Sequence, residues 1–96
     1  MVKSAAAAIG ASLIAAAVVA SAEPPAGAAS CSGCHPASSR IASPVPRLAG
    51  IDRAAIVRAM QDFRSGQRAA TVMDRLAKGF TDEEIQAIAA WYATQR

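Results

Sequence analysis

The chain has 96 residues, with 10 basic and 7 acidic side chains and a formal net charge of +3. That balance is far from the concentrated basic surface of a nucleic-acid-binding protein, and two cysteines with one histidine fall short of the four ligands that structural zinc takes. Hydrophobic residues make up 53% of the chain, but much of this is alanine near the N-terminus, so the figure overstates the core.

Lys3 supplies a short positive start, residues 5–20 are alanine-rich and uncharged, and Ala20-Ser21-Ala22 has the small-x-small form of a signal peptidase site. A signal peptide is expected over residues 1–22, with cleavage before Glu23 and one domain over 23–96. The competing expectation is an uncleaved membrane anchor, although Ile9, Leu13, Ile14, Val18 and Val19 are the only large apolar residues in the run from Ser4 to Ala22. Residues 23–96 number 74 and carry 9 basic and 7 acidic side chains, a net of +2. A domain of that size is near the lower limit for a core built from side chains alone.

Pro24, Pro25 and Gly27 suggest a loose lead into a helical turn carrying Cys31-Ser32-Gly33-Cys34-His35. Two thiols bracketing two residues and followed at once by imidazole form a covalent haem attachment site. Each thiol can add across a haem vinyl group to give a thioether, and His35 then falls beneath the iron as proximal ligand. A thioredoxin-like site would need a βαβ context that nothing here supplies, and a plain Cys31–Cys34 disulfide would leave His35 a coincidence. One enclosed haem would bury roughly 400 Å² of apolar surface, on the order of 10 kcal/mol before costs. The haem-free chain is therefore expected to be poorly folded.

From Pro36 to Gly50 the chain is rich in Ser and Pro with no period, and Pro44 and Pro46 deny donors to any helix, so a loop over one haem face is expected. Asp52 is a credible N-cap for a helix to about Ser65, with Gly66 at its left-handed end. Ile56, Met60 and Phe63 share one face of that helix. Residues 67–71 read as a polar connection and 72–78 as a short helix ending at Gly79. Thr81-Asp82-Glu83-Glu84 is a capping box opening the last helix, which runs to about Gln95 with Ile85, Ile88, Ala89 and Tyr92 buried and Trp91 at the edge. No strand is expected.

A six-coordinate iron needs a ligand opposite His35. Met73 is the favoured candidate, placed in an irregular stretch far enough from His35 for the chain to cross to the other haem face. Met60 reads instead as core packing, and Lys78 as a surface charge that could at best replace a dissociated Met73. His/Met ligation raises the potential and suits a one-electron carrier. Arg47, Arg64 and Arg68 are possible partners for haem propionates, since guanidinium forks suit carboxylates.

Over about residues 28–95 the chain resembles the class I c-type cytochromes, in the haem motif, in Pro46-Arg47-Leu48-Ala49-Gly50, and in Phe63-Arg64-Ser65-Gly66-Gln67-Arg68 followed by Met73 and Thr81-Asp82-Glu83-Glu84-Ile85. The resemblance implies an all-α fold of three to four short helices around one covalent haem c. It also implies that the Pro46 carbonyl accepts the proton on the second nitrogen of His35, orienting the ring and enhancing its basicity. The stretch from Ser65 to Phe80 looks especially like the haem subunit of flavocytochrome c sulfide dehydrogenase. Three functions are then in view: a periplasmic electron carrier that is not itself an enzyme; a haem subunit taking electrons from a flavoprotein partner; and a haem sensor or minor peroxidase with a labile Met73. Protein redox partners are expected in the first two, nucleic acid in none, and a membrane only if the leading segment stays uncleaved.

Overall fold

The computed structural model describes residues 2–12, 14 and 23–96. The proposed cleavage motif Ala20-Ser21-Ala22 lies outside the described residues. Among those described there are four helices and no strand: α1 (Ala28–Cys31), α2 (Arg53–Ser65), α3 (Met73–Ala77) and α4 (Asp82–Thr94). None of them is long and apolar enough to cross a membrane.

Local chemistry accounts for the ends of the two long helices. Asp52 accepts hydrogen bonds from the Ala54 and Ala55 amides at 3.1 and 3.3 Å, satisfying donors that the first turn of α2 would otherwise orphan. Gly66, at φ 81°, closes the same helix in the left-handed region. The capping box is formed in full, with the Glu84 amide donating to Thr81 Oγ1 at 3.1 Å and the Thr81 amide to the Glu84 carboxylate at 2.9 Å. By contrast α3 is one turn long and its N-cap, Val72, offers no side-chain bond.

The core lies where α2 and α4 meet beneath α1. Ala28, Ile56, Ile88, Ala89 and Tyr92 form it, and Cys31, Leu48, Ile51, Val57, Met60, Phe80 and Trp91 pack against it while still partly exposed. The expected stripe of α2 is thus only partly inside, with Ile56 buried and Met60 and Phe63 half-buried. That of α4 is buried throughout, at Ile85, Ile88, Ala89 and Tyr92.

Two contacts fix α1 against α4. The Tyr92 hydroxyl donates to the Ala28 carbonyl at 2.7 Å, a buried bond spanning 64 positions of sequence. Gly27 brings its backbone so near the other elements that a Cβ there would stand 2.7 Å from Phe80 Cε1 and 3.4 Å from Ile88 Cδ1. The Gly50 amide donates to the Tyr92 carbonyl at 3.0 Å, so the irregular segment is tied to the same helix.

Gly27→Ala and Gly66→Ala separate backbone strain from that close approach. Both glycines have positive φ, at 88° and 81°, but a Cβ at Gly66 meets nothing within 4 Å. Chemical unfolding of the holoprotein is expected to show a loss of about 1–2 kcal/mol for Gly66→Ala and about 1–3 kcal/mol more for Gly27→Ala, where the Phe80 ring must also move. Equal losses would mean that the crossing accommodates a methyl group.

Candidate functional site

The turn that follows Ala28 presents all three residues of the haem motif together. The Cys34 and His35 amides donate to the Cys31 carbonyl at 3.3 and 2.9 Å, so the chain stays coiled for one turn past α1 and carries His35 back over Cys31. Both cysteines are free thiols, Cys31 half-buried and Cys34 exposed, and no disulfide joins them. Burial pushes the Cys31 thiol up from its ordinary range, with hydrogen bonding partly opposing it. The sulfur donates to the Gly27 carbonyl at 3.6 Å.

His35 is oriented from outside its own turn. Its Nδ1–H donates to the Pro46 carbonyl at 2.5 Å, across 11 positions of sequence. A carbonyl oxygen can only accept, so the proton sits on Nδ1 and the Nε2 lone pair is left available to a metal. Pro46 can serve in this way because its carbonyl is committed to no helix or ladder, which follows from the prolines on both sides of Val45. A cleft of about 150 Å³ lies against His35, lined in part by Pro36, Leu48, Trp91 and Tyr92. Trp91 and Tyr92 meet edge to face there, with centroids 4.8 Å apart. The Tyr92 hydroxyl, besides its bond to Ala28, lies 3.3 Å from Ser32 Oγ inside the motif.

Met73 opens α3, which falls within the short helix expected over 72–78, and its side chain is half-buried. Beside it the Asp74 carboxylate holds Oδ1 out of solvent with no hydrogen-bond partner among the described residues. Met60 packs against the buried core from α2, in keeping with a structural role. Lys78 is exposed past the end of α3. The three arginines considered for propionates have other partners as well: Arg47 Nε donates to the Ala37 carbonyl at 3.0 Å, Arg68 stacks over Phe63 at 4.9 Å, and Arg64 reaches across to the segment between α3 and α4.

The residues present fit a covalently attached haem. Two uncombined thiols and an imidazole with a fixed tautomer share one turn, and a thioether side chain is available on a separate element. The apolar surface fits too, since Ile41, Val72 and Leu76 are 58%, 52% and 47% exposed and an apolar macrocycle is the kind of surface that would cover such groups. The Ser32–Tyr92–Ala28 linkage, which ties the motif to α4, is not disclosed by the sequence, because a tyrosine on a buried stripe carries no mark of where its hydroxyl goes.

No protein-family model matches the chain. Among curated proteins it is 43% identical over 63 residues to the cytochrome subunit of sulfide dehydrogenase from Chlorobaculum tepidum, covering 66% of this chain and 57% of that one. It is 42% identical over 65 residues to a thiosulfate dehydrogenase electron acceptor from Stutzerimonas stutzeri, covering 66% of this chain and 30% of the relative. With cytochrome c-554(548) from Halomonas halodenitrificans it shares 33% identity over 69 residues, 68% of this chain and 83% of the other. The chain thus spans little more than half of the first relative and less than a third of the second. It belongs to the class I c-type cytochromes, and its cofactor is haem c.

With apolar side chains left half-exposed, folding is expected to depend on that cofactor. A Cys31→Ala/Cys34→Ala chain produced without haem is expected to lose the cooperative thermal transition and near-ultraviolet dichroism of the holoprotein while keeping part of its helix signal. A sharp, native-like melt without haem would show that the side-chain core suffices.

Proposed function

We propose that this chain is a periplasmic one-electron carrier in which Cys31 and Cys34 hold haem c by two thioethers, His35 ligates the iron on one side and Met73 on the other. Residues 1–22 are its export signal on this reading, and 23–96 the cytochrome domain. The observation that carries the proposal is the His35 to Pro46 hydrogen bond, which leaves one imidazole nitrogen free beside two free thiols.

Bound haem supplies a reversible one-electron change at its iron. The protein's part is to set where that change is favourable and to keep other chemistry away. Pro46 holds the proton on Nδ1 and makes the opposite nitrogen a better donor. The Met73 sulfur, a soft ligand, favours the reduced metal and raises the potential. His35 and Met73 would together leave no open position at the metal for oxygen or peroxide, which suits a carrier rather than an oxidase.

A second reading is favoured by one specific observation, the 43% identity to a cytochrome subunit of sulfide dehydrogenase. On that reading the same site takes electrons from a flavoprotein partner in a stable complex that oxidises a reduced sulfur compound. Purification from the native periplasm with haem and flavin quantified against protein separates the two. Haem alone, on a single small chain, supports the free carrier; flavin in fixed ratio through a sizing column supports the subunit.

Axial ligation is tested by Met73→Ala and Met60→Ala. Met73→Ala is expected to abolish the weak red charge-transfer band of the ferric protein and to lower the potential by a few tenths of a volt, within the roughly 0.8 V that axial ligands span. Met60→Ala is expected to leave the band in place and cost about 2–5 kcal/mol of stability. The reverse pattern would assign the ligand to Met60.

A further inference from the structure

Met73 stands at the first position of a helix that cannot support itself. A single turn of five residues is unstable in isolation, and α3 has no side-chain cap at its start. Its placement is therefore imposed by its surroundings, chiefly by α2.

The most specific of these surroundings is Arg64, in the last turn of α2. Its guanidinium donates from Nε to the Ala77 carbonyl at 3.4 Å, from Nη2 to the Phe80 carbonyl at 2.7 Å and from Nη1 to the Asp82 carboxylate at 2.5 Å. The three acceptors run from the last residue of α3, through the connection, to the first residue of α4. Ala77 lies among the terminal carbonyls that a helix leaves without an internal partner, and a planar fork with five donors holds several such oxygens in a fixed geometry that the three rotating donors of an ammonium group do not set. The ion pair itself is in solvent, since the Asp82 side chain is 73% exposed, and it contributes little. The two carbonyl bonds are part-buried and carry the clamp.

We propose that Arg64 is a positioning residue for Met73: by pinning the far end of α3 it sets how firmly the thioether sulfur stays on the iron. The proposal rests on the assignment of Met73 as distal ligand. It also gives Arg64 a task other than binding a haem propionate, because its donors are turned to two carbonyls and one carboxylate of this segment.

The test is the rate at which added imidazole displaces the sulfur from the ferric holoprotein, read as loss of the red charge-transfer band. Arg64→Gln is expected to speed displacement about tenfold, the scale of losing one part-buried charge-assisted hydrogen bond, and Arg64→Lys to restore part of the difference. Asp82→Asn should stay near the wild-type rate. So should Arg53→Gln, which removes bonds of 3.2 and 2.8 Å to Gln86 that join α2 to α4 without touching α3. A wild-type rate in Arg64→Gln overturns the proposal, and so does equal acceleration in Arg53→Gln, which would signify general loosening. A wild-type protein that lacks the band fails at the earlier step and removes Met73 as the ligand. If Arg64→Gln yields no holoprotein, Arg64→Lys against Arg53→Lys carries the same comparison.

Discussion

The hydrogen bond from His35 to the Pro46 carbonyl is the interaction on which the site depends. An imidazole has two nitrogens and one proton at neutral pH, and only a fixed acceptor decides which nitrogen keeps it. Here the acceptor is a backbone oxygen in a segment with no regular structure, freed for the purpose by prolines that forbid a helix. The bond also joins the attachment turn to the irregular segment, and the Gly50 amide joins that segment to α4. Ring orientation, loop path and helix placement are therefore one coupled arrangement rather than three.

The same arrangement bears on whether the protein works alone or within a complex. The residues proposed to hold the haem come from a single chain and leave no ligand to be supplied by a partner. A partner would be needed only as a source or sink of electrons. The relatives span both situations by name, one a subunit of a sulfide dehydrogenase and another a cytochrome matched over most of its length. The likeness to both lies in the cytochrome region, so it defines the redox module and leaves the electron donor to experiment.

How much was legible in the sequence follows the range of the interactions. Asp52, Gly66 and the Thr81–Glu84 box act within a turn of themselves, and α2 begins and ends, and α4 begins, where those residues place them. The attachment motif was equally legible, being five consecutive residues. The pairing of Pro46 with His35 came through family resemblance, because no local rule links a proline carbonyl to a ring 11 positions away. The short helix expected over 72–78 is present as α3 over Met73–Ala77, although nothing caps its start and it is held in place by α2. Arg64 is a propionate candidate by its guanidinium fork, whereas its partners lie 13 to 18 positions away and are mainly backbone oxygens that no side-chain pattern reveals.

The bond between Tyr92 and Ala28 bears on how the protein is made. Ala28 lies just ahead of the attachment turn and Tyr92 near the end of the last helix, so the closing contact needs almost all of the domain to be present. Such a distant pairing is slow to form, because the entropy of closing the long loop is lost before the contact rewards it. For a chain whose cofactor is covalent haem c, such a delay leaves the attachment turn open longer than a local closing contact would.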